Sequence, residues 1–348
     1  MNQEIIRTVA KINCPICNTI GRNVYNNLTD SLLPTEGVWN MDVCKNLLCQ
    51  TYWLNPAPRP EDIPLLYKNY QTHTDPVTTS IPGHRTIIRK CFDTVRQSVL
   101  SQEYDYPTNV PKLLQIPLNF LAKIHPGWRD SQLNQVLYVP FINNGKFLDV
   151  GCGGGYAMIA LKKMGWNVTG TDFDIDAVKN AQSKGLNVYQ GELNSLGFKD
   201  ESFDAILLSH VIEHVPNPQE LLTECKRILK PGGKMIVITP NANSYGHRKF
   251  KEHWRGLEVP RHLQIFTPSS LEILGKRAGF SEVEGKTCIQ GIFYIWDASE
   301  AHSLTGSFEL STKTKWGRLM DKWRLFTSGI KFALGLKREE TALLYCVK

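Results

Sequence analysis

Two histidines and a glutamate lie close together in the segment S-H-V-I-E-H, residues 209–214. The segment directly follows a continuous apolar run, residues 203–208, which is typical of a strand buried on both faces. An imidazole with an ordinary pKa of about 6.5 can remove a proton from a hydroxyl or an amine. We therefore predict His210 as the first candidate general base and His214 as the second. The same spacing also fits side chains that only cap a helix and pack on a sheet.

A second group of residues with chemical potential is the glycine turn G-C-G-G-G, which begins at Gly151. An apolar run, residues 147–150, precedes the turn, and residues 156–164 carry apolar side chains at helical spacing. A strand, a glycine turn and a helix in this order present backbone N–H groups to a ligand without Cβ atoms in the way. Asp172 ends the next predicted strand, about 20 residues further on, where a carboxylate can accept both hydroxyls of a ribose.

This pattern resembles the class I methyltransferases that use S-adenosylmethionine (SAM). A dinucleotide-binding turn would have a glycine where Tyr156 stands. The motifs that carry the resemblance occur in order across residues 146–285 and read L-D-V-G-C-G-G-G, G-T-D, S-F-D, H-V-I-E-H-V, L-K-P-G-G and T-P-N. With the strand-end positions, the resemblance implies cofactor contacts for Asp149, Gly151, Gly153, Asp172, Phe173, Glu192, Leu193 and Ser209.

The resemblance also gives the histidine segment a context, because it would place His210 near the sulfonium of SAM. In some quinone O-methyltransferases a similar stretch has glutamate in place of His210 and binds a divalent metal. Glu213 and His214 match that pattern, but His210 does not. We therefore expect no metal at this segment.

The N-terminal region contains four cysteines at spacings that suit a metal. Cys14 and Cys17 have the C-x-x-C spacing of a zinc knuckle, and Cys44 and Cys49 form a second, wider pair. Buried or redox-active thiols are the alternative. The segment resembles the zinc-binding head of some bacterial sugar and surface-glycan methyltransferases, which reads C-P-x-C, C-x-x-C-G and then N-P. This sequence departs from that head at Gln50, where the head has glycine.

A polar loop at residues 240–264 contains the segment W-R-G-L-E-V-P-R-H. It resembles the W-x-G-x-x-x-P-R-H segment of the same glycan-associated methyltransferases. The resemblance predicts that Trp254, Arg261 and His262 bind a sugar or a phosphate-bearing acceptor, with His262 as a third candidate base. A loop-anchoring Arg–His pair is the alternative.

The elements that must position these residues alternate between strand and helix from residue 146 onward. This alternation predicts a doubly wound, mostly parallel sheet, in the class I methyltransferases a seven-stranded one, with ligands at the carboxyl ends of the strands. We expect the last strand, residues 341–347, to be antiparallel and at the edge beside the sixth. The predicted regions are a zinc-binding head (1–56), a helical cap (57–145), a SAM-binding domain (146–290), and a helical insertion with the final strand (291–348).

The composition bounds the partners and the location. The 348 residues carry a mild formal charge of +7, and no arginine-rich segment with interleaved aromatic residues indicates nucleic-acid binding. The sequence lacks a signal-peptide pattern and a membrane-spanning apolar stretch, so we expect a cytoplasmic protein. A basic, tryptophan-containing helix at residues 316–334 fits contact with the inner membrane surface, packing on the cap, or a dimer face. Within the cap, Tyr70, His73 and His84 could line a pocket, but a surface or packing position is favoured for any one of them.

The first functional hypothesis is a SAM-dependent methyltransferase that acts on a sugar, either a nucleotide-sugar or a surface glycan. The alternative acceptor is lipid-soluble and quinone-like. A non-catalytic SAM-binding partner protein and a nicotinamide enzyme are the remaining hypotheses. The expected cofactors are SAM and a structural zinc ion.

Overall fold

The structure is a computed structural model, and it describes residues 6–33, 35, 37–67, 87–124, 126–288, 290–308, 323 and 339–348. Its strands in chain order are β1 (Thr8–Val9), β2 (Gly21–Leu28), β3 (Trp39–Cys44), β4 (Tyr52–Leu54), β5 (Ala57–Pro58), β6 (Lys146–Val150), β7 (Asn167–Asp172), β8 (Val188–Gln190), β9 (Phe203–Ser209), β10 (Leu229–Pro240), β11 (Gln264–Ile265), β12 (Glu282–Cys288) and β13 (Thr341–Val347). Its α-helices are α1 (Ile87–Tyr104), α2 (Lys112–Ile124), α3 (Pro126–Asn134), α4 (Tyr156–Lys163), α5 (Ile175–Ser183), α6 (Pro218–Ile228), α7 (Tyr245–Phe250), α8 (Pro268–Arg277) and α9 (Ile292–Thr305).

A seven-stranded sheet forms the centre, in the order β12-β13-β10-β9-β6-β7-β8. The five strands from β10 to β8 are parallel, which confirms the predicted doubly wound arrangement. The apolar run in β9 is buried because helices pack on both faces of a parallel sheet. The carboxyl ends of these parallel strands therefore meet along one edge, as the motifs required.

The last strand, β13, differs from the prediction in its position. It is antiparallel, as expected, but it lies between β10 and β12 and pairs with both. The strand at the edge is β12. The physical reason is that β13 buries Ala342, Leu343 and Leu344 in succession, so apolar side chains leave both faces of the strand. An edge position would expose more of that surface.

The N-terminal strands extend a second sheet, in the order β11-β4-β3-β2. Its β11 comes from the polar loop that follows β10, more than 200 residues later in the chain. Trp53 of β4 is buried in the same apolar cluster as Phe266, which follows β11, and Leu148 of the central sheet. The N-terminal region is therefore built onto the loop that carries the W-R-G-L-E-V-P-R-H segment.

Some predictions fall outside the described residues. They are the candidate pocket residues Tyr70, His73 and His84 and the basic segment 316–334, of which only Trp323 is described. The predicted cap helices correspond to α1 and α2, which pack on each other. Among the helices that the structure describes, none combines the length and the apolar character needed to cross a membrane.

Candidate active site

The glycine turn connects β6 to α4 in a backbone conformation that favours glycine. Gly151 and Gly153 have φ angles of +68° and +50°. Gly151 also lies under the turn that follows β9, since a Cβ atom built on it would be 2.5 Å from Cγ2 of Val211. A side chain at Gly151 would therefore be strained in its backbone and would displace the histidine segment.

Asp172 lies at the carboxyl end of β7, and its side chain holds the glycine turn. Oδ2 accepts a hydrogen bond from the N–H of Gly153 at 2.8 Å, and Oδ1 accepts one from the N–H of Asp174 at 2.9 Å. Each carboxylate oxygen has further lone pairs, so these bonds leave acceptor capacity for ligand hydroxyls. Asp172, the residue predicted to bind the ribose, therefore lies beside the glycine turn.

Asp149 is buried near the end of β6, on the strand next to Asp172. Burial, and to a smaller extent the charge of Asp172, raises the pKa of Asp149 to about 8. At neutral pH most Asp149 side chains are therefore protonated in this structure. The site thus contains a carboxyl whose ionisation would be favoured by a bound positive charge.

The residues predicted to contact the adenine differ in their exposure. The ring of Phe173 is 52% exposed, and the ring of Tyr67 meets it edge to face at a centroid distance of 5.3 Å. Glu192 is exposed, whereas Leu193 is 4% exposed and packs in the core. Phe173 and Glu192 therefore offer their side chains at the surface, while Leu193 offers mainly its backbone.

His210 follows Ser209 at the end of β9 and has a left-handed backbone, with φ at +56°. This conformation is uncommon for a residue with a Cβ atom and is frequently found at functional sites. The His210 side chain is 38% exposed, and its Nδ1 atom lies 3.3 Å from Oε1 of Glu213. His210 therefore meets solvent on one side and a buried carboxylate on the other.

Glu213 is the buried centre of the histidine segment, with no exposed surface. Its Oε2 atom accepts a hydrogen bond from Thr239 Oγ1 at 2.9 Å. Within the described part of the chain, no donor meets hydrogen-bond geometry at Oε1. Burial by itself would raise the pKa of Glu213, but three neighbouring histidines (His210, His214 and His262) outweigh it and lower that pKa to about 2.

Two oxygens fix the orientation of the His214 ring. Its Nδ1 atom lies 2.9 Å from the hydroxyl of Tyr67 and 3.1 Å from the backbone carbonyl of Arg261. Because a carbonyl oxygen only accepts, we assign the proton of the neutral ring to Nδ1. The lone pair of His214 then lies on Nε2 and is free to accept a proton or bind a cation.

His262 reaches the same place from the loop before β11. Its ring lies 4.7 Å from that of His214 between centroids, and its Nδ1 donates to the carbonyl of Gly256 at 2.8 Å. Burial lowers the pKa of His262 to about 4, although the charge of Glu258 opposes the shift. His262 is therefore neutral near pH 7, with its lone pair on Nε2.

The structure thus brings Glu213, His214 and His262 together as one group, the EHH group. One potential ligand atom from each side chain lies within 4.8 Å of the other two. A carboxylate and two imidazoles whose other nitrogens are held by oxygens are a ligand set that suits a divalent transition metal. The sequence-based expectation of no metal considered only residues 210–214. It did not include His262, which a distant loop brings beside Glu213 and His214.

Arg261 and Trp254 are turned away from the EHH group. Arg261 is 1% exposed, and two of its nitrogens contact the Asp30 carboxylate at 2.6 and 2.7 Å. Trp254 has no exposed surface and donates from Nε1 to Glu340 at 2.9 Å. Both side chains therefore anchor the loop, whereas the alternative left open by the sequence had assigned that role to Arg261 and His262.

The four N-terminal cysteines converge although the second pair is widely spaced. Sγ of Cys14 lies 3.7 Å from that of Cys49, and Sγ of Cys17 lies 3.3 Å from that of Cys44. All four sulfur atoms lie within 4.8 Å of one another. Gln50 takes the left-handed conformation that the missing glycine would have, with φ at +49°. The departure at Gln50 therefore leaves the turn intact.

Sequence reasoning missed two residues that orient the histidines, Tyr67 and Glu258. Tyr67 ends the 3-10 helix Pro60–Tyr67 and contacts both His214 and Phe173. It is the first tyrosine of the segment Y-x-x-Y-x-T-H, and this motif could have identified it as a candidate site residue. Glu258 lies inside the W-R-G-L-E-V-P-R-H segment at 3.6 Å from His262, and nothing in its spacing distinguished it.

Known proteins match this chain over the region that contains the site. The family model described as a methyltransferase domain matches residues 128–284. The ubiquinone biosynthesis O-methyltransferase of Coxiella burnetii strain Dugway is 44% identical over 226 residues, which cover 62% of this chain and 87% of the relative. The protein of the same name from Coxiella burnetii strain RSA 331 is 35% identical with the same coverage.

A relative of the same name from Cereibacter sphaeroides strain ATCC 17029 is 32% identical over 167 residues, which cover 44% of this chain and 68% of the relative. Among solved structures, a SAM-dependent methyltransferase from Archaeoglobus fulgidus is 21% identical. It has a TM-score of 0.42 and covers 66% of this chain and 98% of that chain.

Two kinds of finding agree. The sequence and the structure give the ordered motifs, the glycine turn between β6 and α4, and the sheet order. The comparisons give a matching family model and relatives that the chain covers over most of their length. The chain belongs to the class I SAM-dependent methyltransferases.

Proposed function

We propose that this enzyme methylates a hydroxyl oxygen on an aromatic, quinone-like ring. The observation that carries the proposal is the EHH group beside the turn that closes over Gly151, in which Glu213 and His262 are buried and His214 is partly exposed. A phenolic hydroxyl has a pKa of about 10, as in tyrosine, whereas an alcohol is a far weaker acid. Each imidazole of the group keeps its lone pair on Nε2, and a neutral imidazole removes a proton more easily from the more acidic phenolic hydroxyl than from an alcohol. Relatives named ubiquinone biosynthesis O-methyltransferases agree with this choice.

The reaction needs alignment, one proton acceptor and exclusion of water. SAM supplies an electrophilic methyl group, and Asp172 and the glycine turn would hold its nucleoside and methionine parts. Nε2 of His214 would accept the acceptor proton as the new O–C bond forms and the S–C bond breaks. The Tyr67 hydroxyl and the Arg261 carbonyl keep that lone pair on Nε2. Positioning of this kind can account for a large part of the rate.

The EHH group also fits a divalent cation. Glu213 Oε1 is buried and forms no well-aligned hydrogen bond among the described residues, although His210 Nδ1 lies 3.3 Å away, and both imidazoles keep an Nε2 lone pair. A cation held by Glu213, His214 and His262 would occupy the His214 lone pair, so it would replace His214 as the group that promotes deprotonation, by lowering the pKa of a nearby hydroxyl. Metal content and activity after chelation therefore belong in the same experiment as the acceptor.

The test is methyl transfer from radiolabelled SAM to three probes, namely a dihydroxybenzene, a hydroquinone and a set of nucleotide-sugars. We expect turnover on the aromatic hydroxyls, with the label recovered as an aryl methyl ether. Enzyme-free reactions control for spontaneous oxidation of the probes. Label transferred to sugars and to none of the aromatic probes would contradict the proposal. The assay is repeated after chelation and after addition of Mg²⁺, Mn²⁺ or Zn²⁺.

A sugar hydroxyl is the second candidate, and the N-terminal region favours it. The resemblance to glycan methyltransferases lies in the cysteine segment and in the W-R-G-L-E-V-P-R-H segment. In the structure these two segments contact each other through β4 and β11 and through Asp30 and Arg261. The nucleotide-sugar probes above therefore test a specific alternative.

We also propose that the four N-terminal cysteines hold a structural zinc ion. Their sulfur atoms are already close, and the N–H of Ile16 donates to Sγ of Cys14 at 3.4 Å, as in zinc knuckles. Four protein ligands leave no open position, so the ion would stabilise the fold and take no part in methyl transfer.

Cys44→Ser is expected to lower the zinc affinity by at least about 100-fold, because one of four ligands is lost. Metal content of the purified full chain, with competition by a chromophoric chelator, measures the change. Cys91→Ser is the matched control, since Cys91 is an exposed cysteine on α1. Equal zinc contents in the wild type, the variant and the control would contradict the proposal.

Because the pKa of Asp149 is raised, we expect SAM binding to depend on pH. The Asp149 carboxyl is mostly protonated below pH 8, and the positive charge of bound SAM favours the ionised form. Binding should therefore release a proton, and the Kd of SAM should fall as the pH rises from 6 to 8, by at most about tenfold per pH unit. Calorimetry in two buffers of different ionisation enthalpy counts that proton. Asp149→Asn should remove both effects, and a wild-type Kd independent of pH would contradict the assignment.

A further inference from the structure

Helix α2 exposes the apolar side chains that a helix of this kind normally buries. Leu113, Ile116 and Phe120 are 89%, 71% and 66% exposed, and Leu114 is 52% exposed. The spacing i, i+3, i+7 places the first three on one stripe of the helix. Contiguous exposed apolar side chains of this size mark an interaction surface more often than a free surface.

The side of α2 that faces the protein is more polar than the exposed stripe. Asn119 is buried and donates to Gln102 of α1 at 2.5 Å, and Ser98 of α1 donates to the backbone carbonyl of Gln115 at 2.8 Å. Ala122 supplies a small buried contact. Leu118 also packs on the apolar core, so the described part of α2 has apolar side chains on both faces, and four of the large ones are exposed.

The charged residues of α2 itself are both lysines. No aspartate or glutamate occurs in residues 106–129, whereas Lys112 and Lys123 lie near the two ends of α2. Lys112 is exposed, and the acidic residues Asp105 and Asp130 stand just outside this range. Lysines that flank an apolar helix face are suited to anionic headgroups, which attract the ammonium groups while the apolar face enters the acyl boundary.

From this exposed apolar stripe and the lysines near the two ends of the helix, we propose that α2 docks the enzyme on an anionic lipid surface. The helix has 13 residues and is about 20 Å long at 1.5 Å per residue, so it lies on a bilayer and does not cross it. A second copy of the chain is the less favourable occupant, because two copies with equal positive charge repel each other. The inference concerns a surface outside the methyl-transfer site and does not rest on the proposed acceptor.

The test is co-sedimentation of the full chain with vesicles of phosphatidylcholine alone or of phosphatidylcholine mixed with phosphatidylglycerol, an anionic lipid. We expect binding to the anionic vesicles that weakens as salt is raised. The triple variant Leu113→Ser, Ile116→Ser, Phe120→Ser should reduce the partition coefficient by roughly 100-fold, because less apolar area enters the bilayer. The matched control carries Leu47→Ser, Leu48→Ser and Leu304→Ser, three leucines of similar exposure elsewhere.

Two further measurements accompany the vesicle assay. Light scattering gives the oligomeric state, and turnover shows whether each variant is active. The triple variant should keep wild-type activity on a soluble acceptor, since all three side chains are exposed. Equal vesicle binding by the wild type and the triple variant would overturn the proposal, as would absence of binding by the wild type. A wild-type dimer that the triple substitution converts to a monomer, without vesicle binding by either, would assign the face to a second copy.

Discussion

Glu213→Gln is expected to lower kcat by at least about 100-fold while the Kd of SAM changes little. The substitution keeps the size of the side chain but removes the buried negative charge beside three histidines. That charge stabilises the protonated form of the proton-accepting imidazole, so its loss makes the base weaker. Steady-state turnover on the acceptor identified by the probe assay, with calorimetry for SAM, measures the two effects separately.

The pH profile separates a chemical role of Glu213 from a structural one. Loss of the carboxylate removes the buried charge that favours a protonated imidazole, so the acid limb of the kcat profile should move to lower pH. A merely structural role would not move that limb. Glu284→Gln, at an exposed carboxylate on β12, is the control and should leave both kcat and its profile unchanged. A variant with wild-type kcat would remove Glu213 from the mechanism.

The second large effect concerns stability, since Arg261→Leu is expected to lower the free energy of unfolding by about 3–5 kcal/mol. Both side chains of the Asp30–Arg261 pair are wholly buried, so the variant leaves a carboxylate without its guanidinium partner. Urea unfolding of the full chain measures the change. Arg129→Leu is the matched control, because its pair with Glu103 is partly exposed and should contribute no more than about 1 kcal/mol.

The double variant Asp30→Leu, Arg261→Leu should recover part of the lost stability, because no unpaired charge remains buried. The effect also depends on pH. Burial alone would raise the pKa of Asp30, but the Arg261 guanidinium outweighs it, and the net shift is downward. The pair therefore stabilises the fold above about pH 4 and less as the pH falls further, where the wild type and Arg261→Leu should converge. Equal stability at pH 7 would contradict the account.

The sequence was sufficient for those parts of the site that depend on neighbours in the chain. The glycine turn, the carboxylate of Asp172 and the strand before His210 each follow from a local pattern whose backbone requirements are strict. Parallel strands then bring their carboxyl ends to one edge by topology alone. For that reason the central sheet, and the position of Asp172 beside the glycine turn, could be derived before the structure.

The acceptor side depends on contacts between distant segments, and no local pattern specifies them. Tyr67 meets His214 across 147 residues, and Asp30 meets Arg261 across 231 residues. The position of β13 inside the sheet follows from the burial of both its faces. The length of the strand, seven residues, does not distinguish an inner strand from an edge strand. Spacing therefore indicated which residues carry chemistry, but tertiary packing decided which of them act together.

The sheet that joins β4 to β11 has a consequence for biosynthesis. Thr267 begins α8 and donates to the carbonyl of Cys49, 218 residues earlier in the chain. At about 5–20 residues per second, a ribosome needs roughly 10–40 s to produce that partner. During this delay β2–β4 have been synthesised, but the surface that buries Trp53 does not yet exist. The N-terminal strands are thus exposed to chaperones, proteases and competing nascent chains until most of the protein has been translated.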